Sequence, residues 1–137
     1  MSDVGVLDAG VVLAMLDDRH PAHAKARALL THGRRRGQRL HVSSVNLAEA
    51  LQHGRPITEA SGLDLVALLE AYDVAVHAPD ASVARVAATL ARLPRTSLAD
   101  RFAAATALVL GGRLYTTDRA LAKAVRGSRV KLATTVY

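Results

Sequence analysis

The 137-residue chain has no cysteine, no tryptophan and only four aromatic residues, Tyr72, Phe102, Tyr115 and Tyr137. Without cysteine there can be no disulfide, no thiolate metal ligand and no cysteine nucleophile. The scarcity of aromatic side chains argues against RNA-binding modules that stack bases on aromatic platforms. The sequence therefore leaves a cysteine-free domain whose chemistry must come from other residue types.

Long hydrophobic runs are also missing, because charged residues interrupt the apolar stretches well before the ~18 residues that a membrane span requires. The N-terminus has neither the basic segment nor the cleavage site of a secretory signal. We therefore expect one domain, residues 1–137, that acts in the cytoplasm without entering the membrane.

Negative charge is scarce, with twelve acidic residues against eighteen lysines and arginines, for a net charge of +6. Such a surface favours a polyanionic partner, and nucleic acid above all. The basic run at residues 34–39 has two interpretations. It either complements the dipole at the end of a helix or forms a patch that contacts phosphates.

Short apolar runs alternate with amphipathic segments along the chain. The helices between the strands include one that starts at Pro21 and a continuous one over residues 57–72. This alternation predicts an α/β fold with a parallel sheet and helices on both faces. The predicted strands are residues 4–7, 39–43, 73–77, 114–117 and 130–133.

Four acidic residues fall where they can meet at one edge of that sheet. Asp8 ends the first strand, Glu49 lies early in the helix after the second, and Asp118 directly follows the fourth. The carboxyl ends of parallel strands share one edge, so these three should converge there. Asp100 begins the helix before the fourth strand. It reaches the same edge only if residues 94–96 turn the chain back.

Each acid also has a purely structural interpretation. Asp8 and Asp118 are good helix N-caps. Asn46 and Glu49 have the spacing of a capping box, as do Ser97 and Asp100. The coincidence of all four acids in a basic protein favours a further role. Crowded carboxylates must take up protons or bind cations. Oxygen ligands without histidine or cysteine suit Mg²⁺ or Mn²⁺, ions that promote phosphodiester hydrolysis.

The order of the acids and three local runs resemble the PIN-domain ribonucleases, particularly the VapC-type toxins of toxin–antitoxin pairs. The runs are residues 6–8, 97–108 and 115–120, and the resemblance spans essentially the whole chain. It implies a three-layer α/β/α sandwich with a five-stranded parallel sheet. It also implies Mg²⁺- or Mn²⁺-dependent endonucleolytic cleavage of RNA, a homodimer and a cognate antitoxin. Carried over by position, the metal ligands and the supporting hydroxyl residue would be Asp8, Glu49, Asp100, Asp118 and Thr116.

The chain departs from this family at one place. The family usually has serine, threonine or asparagine just after the first aspartate, whereas Ala9 and Gly10 offer no side-chain hydrogen bond. Two alternatives stay open. A receiver-like phosphoacceptor domain would also gather acids around Mg²⁺, but it needs paired acids after the first strand. A PIN-like module that binds RNA or a protein without cutting would need no catalytic acids.

Overall fold

The strands form one parallel sheet in the computed structural model, which describes residues 3–137. The strand order is β3-β2-β1-β4-β5, and every neighbouring pair is parallel. The predicted α/β class is thereby confirmed. The bounds of the strands are β1 (Val4–Leu7), β2 (Arg39–Ser43), β3 (Ala75–His77), β4 (Arg113–Thr116) and β5 (Thr134–Val136).

Helices connect these strands and cover both faces of the sheet. None of the helices in residues 3–137 has the length and apolar character needed to cross a membrane. A short 3₁₀ turn, Leu90–Arg92, follows the sixth helix. The helices are α1 (Ala9–Leu16), α2 (His23–Arg35), α3 (Ser44–His53), α4 (Arg55–Ser61), α5 (Leu65–Ala71), α6 (Ala81–Thr89), α7 (Leu98–Leu110) and α8 (Arg119–Arg126).

Two hydrophobic cores lie on opposite faces of the sheet, because successive side chains of a strand point in opposite directions. Leu7 packs into one core with buried residues of α1, α2, α3 and α5. Its neighbour Val6 packs into the other with α6, α7 and α8. Both side chains have no exposed surface. The predicted three-layer α/β/α arrangement is therefore confirmed.

Two helix predictions were wrong for local reasons. The second helix begins at His23, because the Ala22 N–H donates to His20 Nδ1 (3.0 Å) and keeps the preceding residues in a turn. The segment 57–72 forms two helices. Gly62 adopts a left-handed conformation (φ 69°) and ends α4, and the side chain of Asp64 caps α5.

Two strands start later than predicted. β3 begins at Ala75, because Asp73 has a left-handed conformation (φ 57°) that cannot continue an extended strand. β5 begins at Thr134. The chain turns after α8, where the Ser128 hydroxyl accepts from the Val130 N–H (3.1 Å), and joins β4 only afterwards. The β3 error concerns only the start of the strand, whereas the predicted fifth strand, residues 130–133, shares no residue with β5; the predicted count of five strands is unchanged.

The sheet reverses its winding direction beside β1. The chain passes from β1 to β2 and β3 on one side, then returns to place β4 and β5 on the other. In open α/β sheets, ligands bind in the crevice at the carboxyl ends of the two strands that flank such a reversal. Here that crevice lies between the ends of β1 and β4.

Candidate active site

Asp8 lies at the reversal point, where β1 passes directly into α1. Its backbone N–H continues the parallel pairing by donating to the Tyr115 carbonyl (3.0 Å). Its side-chain Oδ1 caps α1 by accepting from the Val11 N–H (2.9 Å). The residue is only 5% exposed. A carboxylate that merely caps a helix is normally solvated, so its burial marks this one for another role.

The hydroxyl of Thr116 connects Asp8 to Asp118 across the crevice. It donates a short hydrogen bond to Asp8 Oδ2 and accepts from the backbone N–H of Asp118 (2.8 Å). Thr116 itself has no exposed surface. This hydroxyl fixes the orientation of the Asp8 carboxylate and holds the start of α8 beside it.

Asp118 caps α8, and both of its capping bonds use a single oxygen. Oδ1 accepts from the N–H groups of Ala120 (2.9 Å) and Leu121 (3.1 Å). Oδ2 has no hydrogen bond to any residue in the described part of the chain. The predicted capping role is confirmed, and one carboxylate oxygen stays available for a ligand.

Asp100 reaches this edge through a tight turn after the 3₁₀ helix. Arg95 adopts a left-handed conformation (φ 57°), and the guanidinium of Arg101 binds the Thr96 hydroxyl (3.2 Å) and carbonyl (2.8 Å). Asp100 then forms the predicted capping box with Ser97 through Oδ2 (2.9 Å). Oδ1 of Asp100 has no hydrogen bond within residues 3–137. The turn that the sequence required at residues 94–96 is therefore present.

Electrostatics links three of the four predicted acids. Burial, reinforced by the nearby carboxylates of Asp100 and Asp118, raises the pKa of Asp8 to about 6. The hydrogen bonds from Thr116 and Val11 act in the opposite direction but do not outweigh burial. The structure thus brings Asp8, Asp100 and Asp118 close enough for their charges to interact.

Glu49 lies on the α3 side of the site, and Asn46 connects it to α7. The Asn46 side-chain amide donates to the Ala99 carbonyl (3.0 Å) and to Glu49 Oε1 (3.4 Å). The predicted capping box of Asn46 and Glu49 was wrong, because Ser43 caps α3 and places Asn46 inside the helix. Glu49 is half-buried and is absent from the groups that shift the pKa of Asp8.

Asn46 is a residue that the sequence suggested only as a cap. It is 1% exposed, and its Oδ1 is buried without a hydrogen-bond partner in the described residues. A buried acceptor without a donor is costly, so such an atom commonly marks a site that water or a ligand completes. The signal that the sequence offered for Asn46 was its position three residues before the candidate acid Glu49.

Oxygen atoms make up the whole set of candidate donors. Among residues 3–137, no three histidine, cysteine or acidic side chains lie close enough together to hold an ion on their own. Mg²⁺ and Mn²⁺ usually retain several waters and use few direct protein ligands. The carboxylates and the unpaired oxygen of Asn46 therefore fit a hydrated ion better than a fully protein-enclosed one.

Gly10 is one of the two residues after Asp8, with Ala9, at which the sequence departs from the family pattern. A Cβ atom on Gly10 would lie 2.0 Å from Thr117 Oγ1 and 3.4 Å from Asp8 Oδ1. The space that a side chain at this position would fill thus already holds the Thr117 hydroxyl. Thr117, the residue after β4, therefore places its hydroxyl against Gly10, although no signal in the sequence alone linked the two positions.

Comparison with known proteins adds to this geometry. The sequence profile of the PIN domain matches residues 5–127. The chain belongs to the PIN-domain family. The family resemblance predicted from residues 6–8, 97–108 and 115–120 is thus confirmed. No curated protein matches this PIN domain in sequence.

Solved structures with the same fold include VapBC2 from Rickettsia felis bound to a DNA fragment from its promoter. The two chains are 17% identical, the match covers 98% of each, and the TM-score is 0.70. VapBC-1 from nontypeable Haemophilus influenzae is 19% identical over 97% of each chain, with a TM-score of 0.64. PAE2754 from Pyrobaculum aerophilum is 20% identical over 95% of this PIN domain and 81% of that chain, with a TM-score of 0.56. At these identities the likeness establishes the fold.

Proposed function

We propose that this PIN domain is a Mg²⁺- or Mn²⁺-dependent endoribonuclease that acts as the toxin of a toxin–antitoxin pair. The observation that carries the proposal is the buried Asp8 carboxylate at the β1–β4 crevice. It is fixed by the Thr116 hydroxyl and lies within electrostatic reach of two further acids. Burying a carboxylate near others of like charge is unfavourable unless a cation compensates.

Asp8, Asp100 and Asp118 would hold the ion together with water molecules, and Glu49 and Asn46 would act through water. A bound divalent ion supplies Lewis acidity for phosphodiester hydrolysis. Thr116 acts as a positioning residue, because its hydroxyl orients the Asp8 carboxylate and the start of α8 together. One carboxylate oxygen of Asp100 and one of Asp118 are not used in capping, so they are available to bind the ion directly or through water.

The surface favours a nucleic acid as substrate, and the family resemblance makes RNA the nucleic acid that we propose. The chain carries a net charge of +6, although four of its twelve acids belong to the candidate site. A basic exterior attracts the phosphate backbone, and an acidic pocket concentrates the ion where the backbone is cut. Steering of this kind depends on ionic strength, so RNA affinity should fall steeply as salt rises.

The partner would be a cognate antitoxin that blocks the site, by analogy with the VapBC proteins that share this fold. Homodimerisation, which the family resemblance implies, and the cytoplasmic location expected from the sequence belong to the same proposal. A direct test of the assembly is the mass in solution of the purified chain with and without the protein encoded beside it.

A calorimetric titration with Mn²⁺ tests the site before any RNA is known. We expect saturable binding by the wild type and binding weakened by at least about tenfold in Asp100→Asn, because a ligand charge is lost. The amide oxygen of asparagine can still accept from the Ser97 N–H, so the capping box survives. Asp80→Asn is the matched control, since Asp80 caps α6 from an exposed position.

Three results would count against the proposal. Equal Mn²⁺ affinity in the wild type and in Asp100→Asn would remove Asp100 from the site. Equal losses in Asp100→Asn and in Asp80→Asn would point to general charge. A folded wild type that binds no Mn²⁺, with or without RNA, would favour the alternative of a PIN-like module that binds RNA or protein without cutting. RNA cleavage with Mn²⁺ that Asp100→Asn abolishes is the positive outcome.

A further inference from the structure

A cleft of about 690 Å³ lies beside the candidate active site, between α8 and the segment that follows the 3₁₀ turn. Arg92 and Arg95 contribute to one wall, Lys123 lies on α8, and Arg129 lies just after that helix. Leu93 and Ala124 are buried and contribute apolar surface to the lining. The cleft therefore combines a basic rim with an apolar floor.

The charge of this cleft is not neutralised by the protein. Its lining contains four cations and no acidic residue. None of the four forms an ion pair within residues 3–137, whereas Arg34 of the basic run at residues 34–39 already pairs with Asp73 (3.2 Å). Uncompensated cations in a concave surface attract anions more strongly than isolated surface charges do.

The cleft follows α8 in the direction that leads away from Asp118, the N-cap of that helix. Ala120, at its near end, is two residues after Asp118, and Gly127 lies at its far end. The seven residue steps from Ala120 to Gly127 correspond to about 10 Å of helix. On the opposite wall, Arg95 precedes Asp100 by five residues and belongs to the turn that positions it. A chain entering the acidic site could thus continue directly along the cleft.

We propose that this cleft holds the sugar–phosphate backbone of single-stranded RNA on one side of the phosphate that is cut. The inference rests on the proposed ribonuclease function and adds the surface that binds the substrate. Four cations can contact phosphates, and the apolar floor can contact sugars. The lining has no aromatic side chain, so binding there should depend on charge and not on base stacking.

Fluorescence anisotropy with a fluorescein-labelled oligouridylate tests the cleft directly. Titrations at several KCl concentrations contain EDTA, so that binding is measured without cleavage. The double variant Arg92→Gln/Lys123→Gln removes two cations from the cleft. The control Arg85→Gln/Arg113→Gln removes two exposed cations, one on α6 and one at the start of β4, neither of which lines the cleft.

The cleft variant should bind RNA about tenfold more weakly at low salt, and the slope of log affinity against log salt should fall by about 1.4, or about 0.7 for each lost phosphate contact. The control should change much less. Arg92→Gln/Arg129→Gln, a second cleft variant, should behave like the first. Thermal unfolding would establish that each variant is folded.

Equal losses in the cleft and control variants would overturn the inference and indicate diffuse attraction, while Mn²⁺ binding would still support the proposed nuclease site. A folded wild type that binds no oligouridylate would overturn the inference together with RNA as the substrate. A labelled decaglutamate peptide tests whether the cleft instead binds an acidic protein. If the cleft variant lost affinity for this peptide but not for RNA, the cleft would belong to an acidic protein partner, and the inference would be wrong.

Discussion

Two segments of this chain have almost the same sequence and local structure but different surroundings. Residues 8–11 read Asp-Ala-Gly-Val and residues 80–83 read Asp-Ala-Ser-Val. Each follows a parallel strand and opens a helix. In each, the aspartate Oδ1 accepts from the valine N–H three residues later, at 2.9 Å for Asp8 and 3.1 Å for Asp80.

The difference between the two segments is their place in the sheet. Asp8 follows β1, which lies between β2 and β4, whereas Asp80 follows the edge strand β3. Asp8 is therefore covered by neighbouring elements and held by Thr116, while Asp80 is exposed. Local sequence produces a helix cap in both cases, but only the position beside the chain reversal turns the cap into a candidate site.

The largest expected effect is on stability. In the metal-free protein the pKa of Asp8 is raised from 3.8 to about 6, so the fold favours the protonated acid. The stability gained from protonation is complete below about pH 3.8 and is lost as the pH rises through about 6. The ionised group then costs up to about 3 kcal/mol at pH 8. Asp8→Asn should recover most of this cost, as measured by thermal unfolding at pH 8 and pH 5.

Asp80→Asn is the comparison for that experiment, because it removes an exposed carboxylate from the same capping position. We expect no comparable pH-dependent gain from it. Added Mn²⁺ should make the wild type more stable than Asp8→Asn at pH 8, because the ion stabilises the wild type and not the variant. A stability difference between Asp8→Asn and wild type that stayed the same from pH 5 to pH 8 would contradict the electrostatic explanation.

The second effect concerns Gly10, where the two segments differ in sequence. Gly10→Ala should destabilise the protein by about 1 kcal/mol, because the new Cβ would lie 2.0 Å from Thr117 Oγ1. In a Thr117→Ala background the same change should stabilise by up to about 1 kcal/mol, since alanine is the better helix former. Denaturant unfolding of the wild type, Gly10→Ala, Thr117→Ala and the double variant gives the coupling free energy between the two positions, which we expect to be about 2 kcal/mol.

Ser82 provides the matched position for this cycle. The Ser82→Ala variant should be more stable to unfolding than the Ser82→Gly variant by about 1 kcal/mol, whether or not Thr117 is present. If Gly10→Ala were stabilising in the wild type, the space beside Asp8 would not be filled by the Thr117 hydroxyl. The contrast between positions 10 and 82 would then have no structural basis.

The sequence predicted the succession of strands and helices along the chain better than it predicted the contacts between strands. Buried apolar runs identified β1, β2 and β4, and strand ends placed Asp8 and Asp118 at one edge. The contacts of Thr116 with Asp8 and of Thr117 with the space at Gly10 could not be predicted, because they join residues more than a hundred positions apart. Periodicity reports which face a residue occupies, but not its partner across the sheet.

Asn46 illustrates the same limit within a single helix, and it gives the smallest predicted effect. Sequence spacing suggested that it caps α3, yet Ser43 takes that role and Asn46 contacts Ala99 of α7. Asn46→Ala loses that hydrogen bond but also removes the unpaired Oδ1, so the two contributions should nearly cancel in the free energy of unfolding.

Mn²⁺ affinity should respond to Asn46→Ala where stability does not. We expect calorimetry to give a loss of about tenfold, because a water held by Asn46 and Glu49 would lose one of its partners. Asn46→Asp restores an oxygen at this position and should recover part of the affinity. A variant with unchanged Mn²⁺ binding and lower stability would make Asn46 a link between α3 and α7 only. The surroundings of Asp8 would then differ from those of Asp80 only through the position of Asp8 beside β1 and β4.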